Sequence, residues 1–166
     1  DFFKGRRVYA GYIKPKHFDT NMVVIGAGSG GLVSAYIAAQ VKASVTLIAR
    51  DKMGGDCLNT GCVPSKALLR SAKIAHYVSR AKEFGLNTGP VETDFTAVMD
   101  RVHRAIATIE PHDSVERYSE LGVDCIQGEA VIVSPWEVQV GDKVITTQNI
   151  VIASGGRPRM LAIPGV

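Results

Sequence analysis

Long apolar runs are missing from this chain of 166 residues, and cysteine is rare. No apolar run approaches the roughly 18 residues that a membrane-spanning helix needs, and no signal peptide is visible. Three cysteines are too few for the disulfide framework of a small secreted protein. These features predict a globular protein with a cytoplasmic location, long enough to bury a core.

The net charge of the chain is also small, at +3. That value is too low to indicate nucleic acid as a partner. The basic excess lies in residues 1–20, where five Lys and Arg residues accompany two Asp residues. We interpret 1–20 as an irregular basic and aromatic arm that lies on its own domain or on a partner chain. A membrane-adjacent linker is the alternative, since basic and aromatic residues suit a membrane interface.

The two ends of the chain are abrupt, because it begins with Asp1 rather than Met and stops after Ile163–Val166. We therefore expect a piece of a longer protein. In this interpretation 1–20 is the arm, 21–160 is the main domain, and 161–166 begins a link to a further domain that the sequence does not contain.

The first half of the main domain has the pattern of a βαβ unit. Asn21–Ile25 is a short apolar run that predicts a strand. Leu32–Gln40 is rich in small and apolar residues and predicts a buried helix, and Ala43–Ala49 predicts the next strand. A strand, a glycine turn, a helix and a strand within about thirty residues are typical of this unit.

Two longer helices are predicted after this unit. Pro64 suits the first turn of a helix that we expect to run to about Lys82. Asp94 or Thr93 is placed to cap a second helix, in which apolar residues recur at three- and four-residue spacing over 95–109.

The pattern changes to short β-type runs after the second helix. Pro111 should kink or restart that helix, and Gly122 should end it. Pro135 and the pair Gly141-Asp142 mark turns between the runs. We expect a small antiparallel ribbon and then a return strand that ends at Gly155. The runs are 123–126, 130–133, 138–140, 144–146 and 150–153.

A glycine-rich loop connects the first strand to the first helix. Gly26 allows a tight turn, Gly28 lets the backbone approach a pyrophosphate, and Gly31 lets helix and strand pack closely. The helix N-terminus then offers free N–H groups to phosphates. This context predicts a dinucleotide site, and the alternative is a glycine-rich turn in another kind of α/β protein.

The end of the second predicted strand lacks an expected residue. A carboxylate there usually accepts the ribose hydroxyls of a bound dinucleotide, but this position holds Ala49. Asp51 follows two residues later, where the loop is expected to begin. The hydroxyls would then bind Asp51, the backbone or water, and we expect weakened nucleotide affinity.

Cys57 and Cys62 stand just before the helix that Pro64 leads. A zinc site normally needs a second ligand pair, and none accompanies these cysteines, so we predict no metal site. A permanent structural disulfide is also disfavoured, because the chain has the features of an intracellular protein. The favoured interpretation is a redox-active pair.

The position of Cys62 at a helix N-terminus predicts a lowered pKa, because the helix dipole favours the thiolate. Lys66 lies one turn later on the same face and can place a positive charge near that thiolate. Gly61 gives the turn the freedom that closing a disulfide requires. Cys125 lies in an apolar run, and we expect it to be a buried core residue.

Four stretches of the chain resemble the pyridine nucleotide–disulfide oxidoreductases, a family that includes dihydrolipoamide dehydrogenase, glutathione reductase and mercuric reductase. Gly54–Lys66 resembles their active-site signature. Gly26–Gly31 is similar to their first FAD-binding motif, and Gln127–Ala130 resembles the stretch whose backbone lies near the adenine. Residues 146–158 resemble their second FAD motif, with Ser154 where Thr is usual.

The resemblance covers about residues 20–166 and implies an α/β fold. The fold would be a truncated Rossmann-like FAD-binding domain with a parallel sheet, helices and a small antiparallel β ribbon. FAD is the implied cofactor, and NAD(P)H would act through an absent domain. The implied cofactor-binding residues are Gly26, Gly28, Ser29, Gly30, Gly31, Arg50, Gly55, Asp56, Cys57, Cys62, Lys66, Glu129, Ala130, Ala153, Ser154 and Gly155.

The resemblance also implies that Cys57, Cys62 and Lys66 are catalytic. Hydride from NAD(P)H would reduce FAD, and the flavin would reduce a disulfide between Cys57 and Cys62. Cys62 would face the flavin as a charge-transfer thiolate, with Lys66 near flavin N5. Cys57 would attack a small disulfide substrate such as lipoamide, or bind a soft metal ion such as mercuric ion. The parent protein would be a homodimer that serves cell redox homeostasis.

Residues 1–20 are similar to the linker of bacterial proteins in which a membrane domain precedes such a flavoprotein. The sequence lacks a second glycine-rich loop, the acidic segment that holds the ribityl chain, and the C-terminal His–Glu pair of the family. We therefore predict that this polypeptide alone does not turn over. The alternatives are a nucleotide-binding module without redox turnover and a scaffold that keeps the fold without a cofactor.

Overall fold

The computed structural model describes residues 11–157 and 159–165. The expectations for Phe2, Phe3 and Tyr9 of the arm lie outside the described residues. Six strands are described: β1 (Thr20–Ile25), β2 (Val45–Ala49), β3 (Val123–Gln127), β4 (Ala130–Ser134), β5 (Glu137–Val140) and β6 (Lys143–Ile152). Their order across the sheet is β3-β2-β1-β6-β5-β4.

Five α-helices accompany these strands in the described part of the chain: α1 (Ser29–Gln40), α2 (Gly55–Asn59), α3 (Cys62–Ser79), α4 (Phe95–Ile109) and α5 (Val115–Glu120). Two short 3-10 turns cover Ala81–Phe84 and Glu110–Asp113. The predicted α/β architecture is thereby confirmed, with parallel strands, helices and an antiparallel ribbon.

The parallel part of the sheet is built around β1, which pairs with β2 on one side and with β6 on the other. Strand β3 extends it by pairing in parallel with β2. All five residues of β2 are buried, as expected for a strand that is covered on both faces. The predicted βαβ unit is therefore β1, α1 and β2.

The two faces of the parallel sheet are covered by different elements. On one face, Val24 and Leu47 pack with Ala35 and other small residues of α1. On the other face, Val23 and Ile48 pack with apolar residues of the ribbon, namely Val138, Val140 and Ile145. Small side chains let α1 lie close to the sheet, which fixes the helix N-terminus at the ends of the strands.

Strand β6 belongs to both halves of the fold. Residues 143–146 pair antiparallel with β5, and residues 147–152 pair in parallel with β1. The sequence prediction of two separate runs was wrong here. No Gly or Pro interrupts residues 143–152, so the backbone continues as one strand from the ribbon into the parallel sheet.

The prediction for β3 was also wrong, because residues 123–126 were expected to belong to the antiparallel ribbon. They form instead an edge strand beside β2, with Val123 opposite Val45 and Ala49 opposite Gln127. Helix α5 packs on β3 and buries Tyr118. The ribbon therefore consists of β4, β5 and the first half of β6.

Helices α3 and α4 pack against each other. Arg101 Nη1 donates to the carbonyl oxygen of Ala67 at 2.7 Å, and both Ala67 and Val102 are buried. Asp94 caps α4 by accepting from the Ala97 N–H at 3.0 Å, as predicted. Helix α3 ends at Ser79 rather than near Lys82, and a 3-10 turn follows it.

Residues 11–19, the described part of the predicted arm, contact the ribbon. Asp19 Oδ2 accepts from the Thr146 N–H and from the Thr146 hydroxyl, both at 2.8 Å. The Lys14 ammonium lies 5.9 Å from the ring centroids of Phe18 and Trp136. None of the helices in residues 11–157 and 159–165 has the length and apolar character needed to cross a membrane.

Candidate functional site

A cleft of about 520 Å³ lies at the carboxyl ends of β1, β2 and β6. Ligands of open parallel sheets bind at this edge, in the crevice that forms where the connections diverge. The cleft is lined by Ile25, Gly26, Ala27, Gly28, Ile48, Ala49, Arg50, Asp51, Lys52, Gly55, Asp56, Asn59, Gly128, Glu129, Ala130, Ala153, Ser154, Gly155 and Gly156.

Ten of the residues that the sequence predicted for the cofactor are among these lining residues. They are Gly26, Gly28, Arg50, Gly55, Asp56, Glu129, Ala130, Ala153, Ser154 and Gly155. The other six, Ser29, Gly30, Gly31, Cys57, Cys62 and Lys66, are not among them. The structure thus brings together residues of the loop between β1 and α1, the segment from β2 into α2, the start of β4 and the end of β6.

Some lining residues were not predicted from the sequence. Ile25, Ala27 and Ile48 are at or beside strand ends, so the strand assignments alone could have indicated them. Lys52 and Asn59 also line the cleft. Their positions depend on the fold of the loop between β2 and α2, and the sequence carries no local signal for it.

The glycine loop after β1 has no room for side chains at two positions. Gly26 has φ +106°, and a Cβ there would overlap the carbonyl oxygen of Ala153 at the end of β6. A Cβ on Gly31 would overlap the carbonyl oxygen of Gly26 and approach Val24 Cγ1 to 3.3 Å. These contacts hold the loop against the sheet, so that the N-terminus of α1 faces the cleft.

The first turn of α1 leaves N–H groups free for a ligand, because such groups have no partner within the helix. The Leu32 N–H bonds to the Gly28 carbonyl at 2.9 Å. A Cβ added to Gly28 would meet only the Gly55 Cα at 3.8 Å. A phosphate can therefore approach this backbone closely, which fits the predicted role of the loop.

Ala49 ends β2 at the edge of the cleft and is buried. Its carbonyl oxygen accepts from the Gly128 N–H at 2.9 Å, which connects β2 to the loop before β4. Asp51 also lines the cleft, but its carboxylate is bound to the Arg50 guanidinium at 2.9 Å. The side chains of Arg50 and Asp51 are largely exposed. Asp51, the carboxylate that follows the strand end in the sequence, is therefore paired with its neighbour, while Asp56 and Glu129 also line the cleft.

The loop that carries the cysteines begins at Gly54 and Gly55, whose φ angles are +83° and +54°. Asn59 closes this loop, since its Nδ2 donates to the carbonyls of Met53 at 3.0 Å and Gly55 at 2.9 Å. The Gly61 N–H donates to the Asp56 carbonyl at 2.5 Å. The chain is thus turned back between α2 and α3.

This turn brings Cys57 of α2 and Cys62 at the start of α3 together. Both are free thiols, and Cys62 is the more exposed of the two. The pKa of Cys57 is lowered by a hydrogen bond from Cys62, then by one from Ser29, with a smaller contribution from the charge of Lys66. Burial opposes these effects by raising the pKa of Cys57, and the negative charge of Asp113 opposes them to a smaller extent.

The pKa of Cys62 is raised, first by its hydrogen bond to Cys57 and then by the charge on that sulfur. The sequence prediction of a lowered pKa at Cys62 was wrong for the dithiol. The helix dipole acts on one sulfur only weakly, whereas the neighbouring sulfur competes for the same proton. The two sulfurs therefore share one proton, and the first negative charge of the reduced dithiol belongs to the pair as a unit.

Cys125 lies on β3, away from this pair. It is half-buried rather than fully buried and packs against the core between the sheet and α1. Burial raises the pKa of its thiol. In the described part of the chain, no cluster of three or more His, Cys, Asp and Glu residues could hold a metal ion.

Comparison with known proteins agrees with this geometry. The sequence profile of the pyridine nucleotide-disulphide oxidoreductases matches residues 20–166. A dihydrolipoyl dehydrogenase of Mycoplasma genitalium is 35% identical over 155 residues, which cover 89% of this chain and 32% of the relative.

Two other dihydrolipoyl dehydrogenases are similar to the chain. The Chlamydia muridarum protein is 38% identical over 148 residues, covering 87% of this chain and 31% of the relative. The Acholeplasma laidlawii protein is 35% identical over 146 residues, covering 87% and 43%. The chain spans about a third of the length of most of these relatives. The match along residues 20–166, on a fold with this cleft and this pair of thiols, shows that the chain belongs to the pyridine nucleotide-disulphide oxidoreductase family.

Proposed function

We propose that this chain is the FAD-binding, N-terminal part of a flavin-dependent disulfide oxidoreductase of the dihydrolipoyl dehydrogenase type. The observation that carries the proposal is the pair of free thiols, Cys57 on α2 and Cys62 at the start of α3, on a loop whose Gly55 packs against Gly28 of the glycine loop. A static core or a plain nucleotide-binding turn needs no such pair of thiols. The names of the relatives favour lipoamide as the disulfide substrate.

The residues of the cleft fit FAD. Gly26 and Gly28 leave the backbone open toward a pyrophosphate, and the N-terminus of α1 supplies N–H donors and a positive dipole end. Gly128, Glu129 and Ala130 line the cleft beside the end of β2, where their backbone can contact an adenine. Ala49 removes the carboxylate that would bind the ribose, so we expect FAD to bind less tightly than a site with that carboxylate allows.

When bound, FAD would pass two electrons from NAD(P)H to the disulfide of Cys57 and Cys62. With one proton, the disulfide then becomes a thiol and a thiolate. Cys57 is the better candidate for the attacking sulfur, because the two hydrogen bonds and Lys66 lower its pKa. Lys66, which stands one turn after Cys62, would further stabilise negative charge at the pair.

The proposed exchange proceeds in two balanced steps. The Cys57 thiolate attacks one sulfur of the substrate disulfide, forms a mixed disulfide, and releases the other substrate sulfur as a thiolate that takes up a proton. Cys62 loses its proton and attacks the Cys57 sulfur, which restores the protein disulfide and releases the second substrate thiol. Dimer formation by the parent, a cytoplasmic location and an upstream membrane domain remain predictions from the sequence.

A second candidate function is a scaffold that keeps this fold without redox turnover. Ala49 and the ion pair between Arg50 and Asp51 favour it, because Ala49 has no carboxylate and the carboxylate of Asp51 is paired with Arg50. This candidate predicts that the chain takes up no flavin. Reduction of mercuric ion has no specific support among the described residues and is therefore not proposed.

The proposal is tested by adding excess FAD to the purified chain, removing unbound flavin, and titrating with dithionite without oxygen. We expect retained flavin and, after two electrons, a long-wavelength absorbance shoulder near ~530 nm from a thiolate beside the flavin. Cys62→Ala should abolish the shoulder, and Cys125→Ala should leave it unchanged. Retained flavin with no cysteine-dependent shoulder would contradict the redox assignment.

The absence of bound flavin in the same experiment would favour the scaffold. A separate assay adds NADH or NADPH and lipoamide to the FAD-loaded chain and follows nicotinamide absorbance. We expect no turnover by this polypeptide alone. Sustained cysteine-dependent oxidation of either nicotinamide would overturn that expectation.

A further inference from the structure

Ala49 leaves the end of β2 without a carboxylate, but the neighbouring segment carries one. The register of the parallel pair places Gln127 of β3 opposite Ala49. The next residue, Gly128, donates its N–H to the Ala49 carbonyl at 2.9 Å, and Glu129 follows directly in the chain. Glu129 lines the same cleft as Ala49, so a carboxylate borders the ligand space beside the end of β2.

The backbone on both sides of Glu129 is fixed. Gly128 is bound to β2 through Ala49, and a Cβ on Gly128 would lie only 2.5 Å from Val140 Cγ1 of β5. Ala130 pairs with Val140 in the antiparallel ribbon. Glu129 therefore extends from a tight connection between the parallel sheet and the ribbon, which holds it near the strand end.

The carboxylate of Glu129 is available to a ligand. Within residues 11–157 and 159–165, no hydrogen bond or ion pair joins it to another group of the protein. The carboxylate of Asp51, in contrast, is bound to the Arg50 guanidinium at 2.9 Å. A ligand that binds Glu129 has no protein contact to displace, whereas a ligand that binds Asp51 competes with Arg50.

Asp56 also lines the cleft, but its position in the fold is different. It follows Gly55, which packs against Gly28 of the phosphate-facing loop. Asp56 therefore belongs to the phosphate end of the cleft. Glu129 belongs to the end of β2, where a dinucleotide site places the adenosine ribose.

We propose that the Glu129 side chain is the ribose ligand of this cleft, and that its carboxylate accepts hydrogen bonds from the adenosine hydroxyls in place of the residue that Ala49 replaces. An ionised carboxylate has two acceptor oxygens and no donor, which suits two neighbouring hydroxyl donors. Such charge-assisted bonds are stronger than neutral ones. This inference rests on the proposed function only in taking the cleft as a site for an adenine nucleotide.

The test compares ADP with 2′,3′-dideoxy-ADP by isothermal titration calorimetry on the flavin-free chain. Both ligands carry the same phosphates and the same adenine, so the ratio of their Kd values isolates the hydroxyls. We expect the wild type to prefer ADP by about tenfold, because a bond to a charged group is lost with the dideoxy ligand. Glu129→Gln should reduce this preference by about fivefold, since the amide is a weaker acceptor.

Two variants serve as controls, and each removes one negative charge. Asp51→Asn changes the other carboxylate near the strand end, and Asp124→Asn changes an exposed carboxylate on β3 that does not line the cleft. Both should keep the wild-type preference for ADP. An unchanged preference in Glu129→Gln, an equal loss in Asp51→Asn, or a wild type that binds neither ligand would each overturn the proposal.

A second pair of ligands gives an effect of opposite sign. Adenosine 2′,5′-bisphosphate carries a phosphate where AMP carries the 2′-hydroxyl, and the Glu129 carboxylate repels that phosphate. Glu129→Gln should therefore weaken the binding of AMP and strengthen that of the bisphosphate, each by about three- to fivefold. A merely structural disturbance of the cleft weakens both, and that result would contradict a direct contact with the ribose.

Folding of the variants is checked by far-UV circular dichroism, and Glu129→Ala is measured in the same way if Glu129→Gln does not fold. These measurements use no flavin. Retained flavin with a cysteine-dependent shoulder and an unchanged ADP preference in Glu129→Gln would remove only the role of Glu129. A Glu129-dependent preference for ADP in a chain that takes up no flavin would remove the proposed function and keep Glu129 as the ribose ligand.

Discussion

Gly28 and Gly55 touch across the floor of the cleft, so closely that a Cβ on Gly55 would lie 2.6 Å from the Gly28 Cα. Gly55 also has φ +54°, a left-handed conformation that side chains with a Cβ rarely adopt. One pair of glycines thus joins the phosphate-facing loop to the loop that carries the thiols. The proposed cofactor site and the proposed redox site are parts of one packed unit.

This contact predicts that Gly55→Ala is strongly damaging. The new methyl group would clash with backbone atoms of Gly28, and the left-handed φ adds strain, so we expect a loss of about 1–3 kcal/mol in the free energy of unfolding. Urea unfolding measures this loss. The control is Gly156→Ala, because Gly156 also lines the cleft but has open space around its Cβ position. Equal stability of the two variants would contradict the contact.

A second prediction concerns the ribose end of the cleft. Ala49→Glu places a carboxylate at the end of β2, where it can accept the ribose hydroxyls of FAD. A hydrogen bond to a charged group is worth about 1.5–3 kcal/mol, so we expect roughly tenfold tighter binding. Quenching of flavin fluorescence measures the Kd. Ala49→Gln is the matched neutral variant, and equal affinities for wild type, Ala49→Gln and Ala49→Glu would show that this carboxylate is not what limits binding.

Much of the fold could be predicted from local pattern alone. The first strand, α1 and β2 were recognised because an apolar run, a glycine turn and a small-residue helix follow one another in the sequence. Asp94 was identified as a cap because its side chain stands three residues before a free N–H group. Signals of this kind are contained in a few neighbouring residues, so they need no knowledge of tertiary structure.

The errors concern contacts between distant segments. Residues 123–126 read as a strand, but nothing in them indicates that the partner is β2 rather than the ribbon, because parallel pairing depends on the path of the whole chain. Lys52 and Asn59 were not predicted as lining residues of the cleft, because the fold of the loop between β2 and α2 places them there. At the candidate site, the contact between Gly28 and Gly55 depends on two loops that are distant in the sequence, so no local pattern indicates it.

The contact of Asp19 with β6 predicts a pH-dependent stability. Hydrogen bonds from the Thr146 N–H and hydroxyl lower the pKa of Asp19 below its usual 3.8. The stabilisation is therefore present above about pH 4 and is lost as the pH falls through the lower value in the folded protein.

We expect Asp19→Ala to reduce the free energy of unfolding by about 1 kcal/mol at pH 7, a modest amount because the site is exposed. The difference from the wild type should shrink toward pH 2, and urea unfolding at several pH values measures it. Asp100→Ala is the control, since Asp100 is an exposed carboxylate on α4. A difference for Asp19→Ala that stays constant with pH would show that the lost contact is not ionic.

The last prediction is that Cys62 governs the reactivity of Cys57. The hydrogen bond from Cys62 is the largest cause of the lowered pKa of Cys57, ahead of the bond from Ser29. In the reduced, flavin-free chain, Cys62→Ala should therefore move the pH profile of the alkylation of Cys57 by iodoacetamide to higher pH. Removing a side chain also opens access to Cys57, so each rate is divided by its value at the highest pH, where the thiolate is fully formed. Cys125→Ala, which removes a thiol on β3, should leave the profile unchanged. A profile for Cys62→Ala that stays in place, or moves to lower pH, would mean that the two sulfurs do not share a proton and that the helix termini alone set the charge of the pair.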